Sequence, residues 1–195
     1  MKPPIEKPSE QVMRFFTPEL YLQYNSPNDG EADRADEAWE AAIRAYQQHL
    51  DGLRDKMPSQ VVRLSELCLH DAELLACEEK AEPLFRLPPE PYWLDPIWSA
   101  VAILSVRQGG EVLSLIYLLG DHLRDHPPKD DWSFSKLRKH WLYDEIDLAP
   151  SPRGTFQHRV LFSDGAVLEI PFLSVVTHRF PLQTSVGNEL HKQSA

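Results

Sequence analysis

Cysteine is nearly absent from this sequence. Only Cys68 and Cys77 occur in 195 residues, and their spacing fits no disulfide framework, zinc ribbon or redox pair. Two small buried thiols in a reducing cytoplasm are expected instead. Long apolar runs are absent too. The longest, Val112–Leu119, has strand length and falls far short of the roughly 20 residues that cross a bilayer. The opening segment, Met1–Glu10, is rich in Pro, Lys and Glu and lacks the apolar stretch of a secretory signal. A cytoplasmic protein with no membrane partner is the expectation. No phosphate loop, nucleophile elbow or strong metal motif is present, and no cofactor is implied. Positive charge is scarce: 20 Lys and Arg against 30 Asp and Glu leave a formal net charge of −10. Nucleic-acid phosphates would be repelled, whereas a basic protein partner fits. The acid gathers in Val61–Ser99, where eight acidic and three basic residues leave −5.

Helix signals fill the first third. Thr17-Pro18-Glu19 supplies a capping hydroxyl, a proline at the first helical position and an acid near the positive helix end, which predicts a helix over Pro18–Tyr24. Ala35, Trp39, Ala42, Ile43, Tyr46, Leu50, Leu53 and Met57 recur by threes and fours. They predict an amphipathic helix over Glu31–Lys56, its apolar stripe on the core. Pro58 ends it, and Ser59 is placed to cap a third helix, Gln60–Leu67. A helix-to-strand switch is expected near His70-Asp71.

The C-terminal half reads as strands: Ser99–Arg107, Glu111–Leu119, Lys139–Leu148, Thr155–Ser163, Ala166–Phe172 and Val175–Phe180. Gly109-Gly110, Pro150–Gly154 and Asp164-Gly165 separate them as turns. The fold class is therefore α+β, with the N-terminal helices packed on one face of an antiparallel β-meander of about six strands. Residues 14–184 form one domain between a mobile segment, 1–13, and a disordered tail, 185–195. Glu79–Pro96 holds five prolines and reads as irregular, with Phe85, Tyr92, Trp93 and Trp98 over a core edge. His122–Trp132 reads as a polar loop and Ser133–Lys139 as a helical turn.

Three constellations carry polar groups in suggestive places. His70-Asp71 sits at an element junction, where it can form a ligand pair or a capped turn. In Trp141–Leu148, alternation places Trp141, Tyr143, Glu145 and Asp147 on one face and Leu142, Asp144, Ile146 and Leu148 on the other. Asp144 then needs a partner among aliphatic neighbours, and Arg159 on the next strand is the expected one. His158 alternates with Phe156, Val160 and Phe162 and reads as a satisfied core histidine. Candidate ligand- or partner-binding residues are thus His70, Asp71, Tyr143, Asp144, Glu145 and His158. Among them His70, Asp71, Glu145 and His158 have the donor types of a zinc-like site, should they converge. His122 and His126, four apart, are a further pair, but Pro127-Pro128 opposes a helix there.

Leu69-His70-Asp71-Ala72, Trp141–Glu145, Phe156-Gln157-His158 through Ser163-Asp164-Gly165, Glu169–Phe172 and the opening Phe15–Tyr21 resemble uncharacterised bacterial proteins. These include small immunity-like proteins encoded beside toxins. The resemblance implies no activity, cofactor or catalytic residue. It agrees with a non-enzymatic interaction protein that meets a basic partner. The alternative is a small metal-binding module or hydrolase built on the His/Asp/Glu set. Oligomeric state is not legible.

Overall fold

Residues 12–83, 98–128, 132–134, 138–149 and 156–182 are described in a computed structural model of the chain. Helix α1 (Pro18–Tyr24) begins where Thr17 Oγ1 accepts the Leu20 N–H at 3.2 Å. Helix α2 (Asp29–Leu53) begins earlier than its apolar period suggests, because Asn28 Oδ1 accepts the Glu31 N–H at 3.1 Å. It tightens into a 3-10 turn, Arg54–Lys56, before Pro58. Helix α3 (Ser59–Ser65) starts without a side-chain cap, so Ser59 does not play the capping part expected of it.

Seven strands follow: β1 (Glu73–Pro83), β2 (Trp98–Gln108), β3 (Glu111–Leu119), β4 (Arg124–His126), β5 (Trp141–Leu148), β6 (Phe156–Phe162) and β7 (Val167–Pro181). Every pairing is antiparallel, so the class is α+β as read. The strand order is β1-β2-β3-β7-β6-β5, with β4 beside β7. Two meanders are therefore joined through β3 and β7. The sheet curls into a half-barrel whose edge strands meet at one end. There Glu73 bridges His140, and the Leu74 N–H reaches Lys139 O at 2.8 Å.

Two expected strands, Ala166–Phe172 and Val175–Phe180, are one. Between Leu118 and Leu119 of β3 the partner jumps from Ser174 to Phe172, leaving Leu173 as an unpaired bulge residue. Pro171 is tolerated because its carbonyl, which accepts the Gly120 N–H at 3.0 Å, is the group in use. Strand β4 lies inside the expected polar loop. Arg-Asp-His has no apolar residue to mark it, and register on β7 forms it. Glu79–Pro83, read as irregular, extends β1. The rest of that stretch, with Phe85, Tyr92 and Trp93, and the tail 185–195 lie outside the described residues. So do Ser135–Leu137 of the expected helical turn.

Two apolar clusters flank the sheet. The interior one joins Leu104, Leu115, Tyr117, Trp141, Ile146, Phe156 and Phe172 with Val61 and Leu64 of α3. The outer one sets Met13, Phe16 and Trp39 against Leu142, Leu161 and Val167. Strand β6 is buried on both faces. Ile43, expected in the core, is 45% exposed, while Trp39 on the same helix is 7% exposed. Both cysteines are exposed, against expectation. Cys68 lies in the turn after α3, and Cys77 lies on β1 beyond the closing bridge. Gly165, at φ +84, is required twice over: a Cβ there would lie 2.4 Å from the Trp132 ring.

Trp39 touches Phe16, Tyr21, Tyr24 and Tyr143 with ring centroids 4.4–6.4 Å away. Trp39→Ala should lower the unfolding free energy by about 3–5 kcal/mol in chemical denaturation. A loss below about 0.5 kcal/mol, the size of a surface effect, would place this face outside the core.

Candidate functional site

Strand β5 sets the site because it carries a bulge. Trp141 pairs with Phe162 and Tyr143 with Leu161, so Leu142 is the extra residue. The bulge changes the expected alternation. Trp141 joins Asp144, Ile146 and Leu148 toward the interior, while Leu142 joins Tyr143, Glu145 and Asp147 outside. A bulge leaves carbonyls without ladder partners. Here the His70-Asp71 turn takes both. The Asp71 N–H donates to Trp141 O at 2.8 Å, and His70 Nδ1 donates to Leu142 O at 2.8 Å. A carbonyl can only accept, so Nδ1 carries the proton. Asp71 adopts φ +63 to make this turn, the only positive φ on a non-glycine among the described residues.

Inside the half-barrel, His158 is fully buried and satisfied at both nitrogens. Nε2 lies 3.1 Å from Asp144 Oδ2, and Nδ1 lies 2.9 Å from the Tyr117 hydroxyl. Trp141 Nε1 donates to Asp144 Oδ1 at 2.8 Å. Burial first, then the Asp144 charge, hold the Tyr117 phenol well above its ordinary range. The Asp144 carboxylate can only accept, so Nε2–H donates to it, and in that tautomer Nδ1 accepts the tyrosine O–H. Arg159 is not the partner of Asp144. It stands opposite Glu145 and hence on the outer face. Its Nη2 donates to Gln157 Oε1 at 2.6 Å, and its Nε lies 3.7 Å from Glu169.

Glu145, 1% exposed, is also on that outer face. Its carboxylate accepts the backbone N–H groups of Arg14, Phe15 and Phe16 at 2.9, 2.5 and 2.7 Å. This pins the segment before α1. Met13 is consequently fully buried rather than mobile; residues 1–11 lie outside the described set.

Beside the bulge an open cleft of about 510 Å³ enters from the surface. Tyr21, Phe134 and Leu142 form its apolar walls, and Asp71, Arg138 and His140 its polar rim. Tyr21 stacks on Trp132 at 5.6 Å and meets Phe134 edge-on at 5.4 Å. Tyr143 lies 5.2 Å from the His70 ring. Burial first, then the Asp71 charge, raise the Tyr21 phenol. Ser163 Oγ donates to Arg138 O at 3.0 Å and accepts the His140 N–H at 2.9 Å, so it staples the rim.

The six candidate residues thus fall in three places. Asp71 lines the cleft, with Tyr143 packed on Tyr21 and His70 beside it; Asp144 and His158 lie in the interior, and Glu145 anchors the N-terminal segment. The suggested metal set does not converge: sheet faces separate its members, and among the described residues no three His, Cys, Asp or Glu groups could hold a metal ion. His122 bonds Glu79 at 2.6 Å and His126 lies 3.9 Å from Glu169, so that pair separates as well. Sequence reasoning missed Tyr21, Phe134 and Arg138 as cleft residues, because they meet only through the fold. Tyr117 was missed too; its place on the inner face of β3 was the one available signal. No family model, curated protein or solved structure matches this chain. Among the described residues no helix is long and apolar enough to cross a membrane.

His158→Phe keeps the ring but leaves the Tyr117 hydroxyl and Asp144 Oδ2 unpaired, and should cost about 2–5 kcal/mol of stability. An unchanged denaturation midpoint would show that the interior network contributes nothing. Glu145→Ala should cost at least about 3 kcal/mol and open the chain to proteolysis before Thr17. Equal protease resistance in the variant would mean that other contacts hold the segment.

Proposed function

We propose that this chain is a non-enzymatic interaction protein of the bacterial cytoplasm, immunity-like in kind, that docks a basic protein partner. The observation that supports the reading is the surface of α2. Over Asp29–Glu40 six acids and one base leave −5. Asp33, Asp36 and Glu37 are exposed and have no ion pair among the described residues. Among the described residues only Glu40 is neutralised on the helix, by Arg44 at 3.0 Å. Unneutralised carboxylates held on one rigid helix attract a cationic surface and speed encounter.

Among the described residues, the acids of Val61–Ser99 are mostly paired. Glu66 pairs with Arg54, Glu78 with Lys80, Glu79 with His122, and Glu73 with Arg107 and Arg138. The partner-facing charge therefore belongs to α2, with Asp71 as the exposed acid at the cleft.

The test is affinity capture from native lysate with the full chain and with an Asp33→Lys, Asp36→Lys, Glu37→Lys variant. A basic protein should be retained at low salt and released near about 0.5 M, where screening is strong. The triple variant should slow its association by about tenfold or more. Retention of the same proteins by both forms, or of none at low salt, would overturn the reading.

A further inference from the structure

The cleft beside the bulge has a polarity that its composition hides. Its rim holds both an acid and a base, and the base lies toward Glu73. Arg138 Nη1 lies 3.6 Å from Glu73 Oε1. Arg107 binds the same carboxylate, and together these cations hold Glu73 below the usual carboxylate range. His140 also acts on Glu73. The cationic groups of the rim are thus directed at Glu73, on the β1 side.

Asp71 is different. Its side chain is 79% exposed, and among the described residues its one ion contact is His70 Nε2 at 3.6 Å. At that distance the contact is longer than a hydrogen bond. The backbone N–H of Asp71 is tied to Trp141 O, and its φ of +63 is held by that bond. The backbone of Asp71 is therefore held at the cleft, and its carboxylate is presented to solvent there.

The opposite walls are aromatic. Tyr21 and Phe134 meet at 70°, forming a corner, and Trp132 backs Tyr21 at an interplanar angle of 16°. Ring faces carry negative quadrupole and attract cations. Burial first, then Tyr21, Tyr24 and Asp71, push the Tyr143 phenol up as well. An aromatic corner beside an exposed carboxylate suits a planar cation better than a compact ammonium. A guanidinium can stack on a ring and present a two-pronged edge to an acid at once.

We propose that this cleft receives an arginine side chain of the partner, its guanidinium stacked on Tyr21 and Phe134 and paired with the Asp71 carboxylate. This rests on the basic-partner reading above and names the group recognised.

The test uses the full chain with argininamide and with citrullinamide, its neutral isostere, followed by aromatic-resolved NMR and tryptophan fluorescence. Argininamide should bind about tenfold more tightly than citrullinamide and shift the Tyr21, Phe134 and Trp132 signals. Asp71→Asn retains a side chain that tolerates positive φ, so it should fold and weaken argininamide by about tenfold. Phe134→Ala should weaken both probes. The helix variant with Asp33, Asp36 and Glu37 replaced should bind argininamide as the native chain does. Equal binding of the two probes would overturn the proposal. So would unchanged affinity in Asp71→Asn, or shifts confined to α2. Failure here with salt-sensitive capture intact removes the cleft and leaves the interaction reading. Argininamide binding with no captured partner does the reverse.

Discussion

The structure turns on one extra residue in β5. Leu142 interrupts the ladder with β6, and the carbonyls of Trp141 and Leu142 need donors from elsewhere. The turn at His70-Asp71 supplies them, with one backbone N–H and one imidazole nitrogen, each at 2.8 Å. That exchange closes the half-barrel, since the same turn leads into β1 and brings Glu73 to His140. It also decides which face each polar residue of β5 occupies. Without the bulge, Trp141 would share a face with Tyr143 and Glu145, and its indole could not reach Asp144.

From this follows a division of labour between the two faces. Inside, Asp144, His158 and Tyr117 satisfy one another, so a carboxylate and an imidazole sit in an apolar interior without orphaned atoms. Buried polar groups in a low dielectric are tolerable only when all are paired. Outside, register places Glu145, Arg159, Glu169 and Arg124 in a row across β5, β6, β7 and β4, alternating in sign. Arg124 donates to Glu169 at 2.9 Å. Glu145 at the end of the row turns instead to three backbone N–H groups. The N-terminal segment and its aromatic residues are thereby fixed over the outer face, where Phe16 stacks on Tyr143 at 5.4 Å.

Legibility in the sequence follows the range of the forces. Helix α1 and strand β3 were readable to the residue, because a capping threonine, a proline and a glycine pair act locally. The α+β class was readable because apolar period changes from helical to alternating along the chain. The bulge was not, since period-two alternation carries no mark of one inserted residue. The Asp144–Arg159 expectation failed for a related reason. The connection Pro150–Gly154 does not fix parity, and register opposes Arg159 to Glu145. His158 was rightly read as a satisfied core residue, but both its partners come from other strands. The two thiols were misread because burial tendency says nothing about where a sheet stops closing.

Charge shows the same contrast between local composition and folded arrangement. By count, Val61–Ser99 is an acidic block as strong as the start of α2. In the fold, Glu73, Glu78 and Glu79 of β1 meet Arg107, Arg138, Lys80 and His122, which come from other strands and turns or, for Lys80, from β1 itself. Helix α2 has no strand neighbour on its solvent side and keeps its field. Exposed carboxylates on α2 cost stability by mutual repulsion, since like charges one helical turn apart are unfavourable. Trp39 and Tyr46 on the opposite stripe, packed on Phe16, offset that cost, and the Tyr46 hydroxyl accepts the Ile146 N–H at 2.8 Å to fix the helix on β5. The aromatic layer under α2 and the acid above it are therefore two parts of one arrangement. The packing that Glu145 makes possible holds a repulsive charge surface in place, where a basic partner would relieve it.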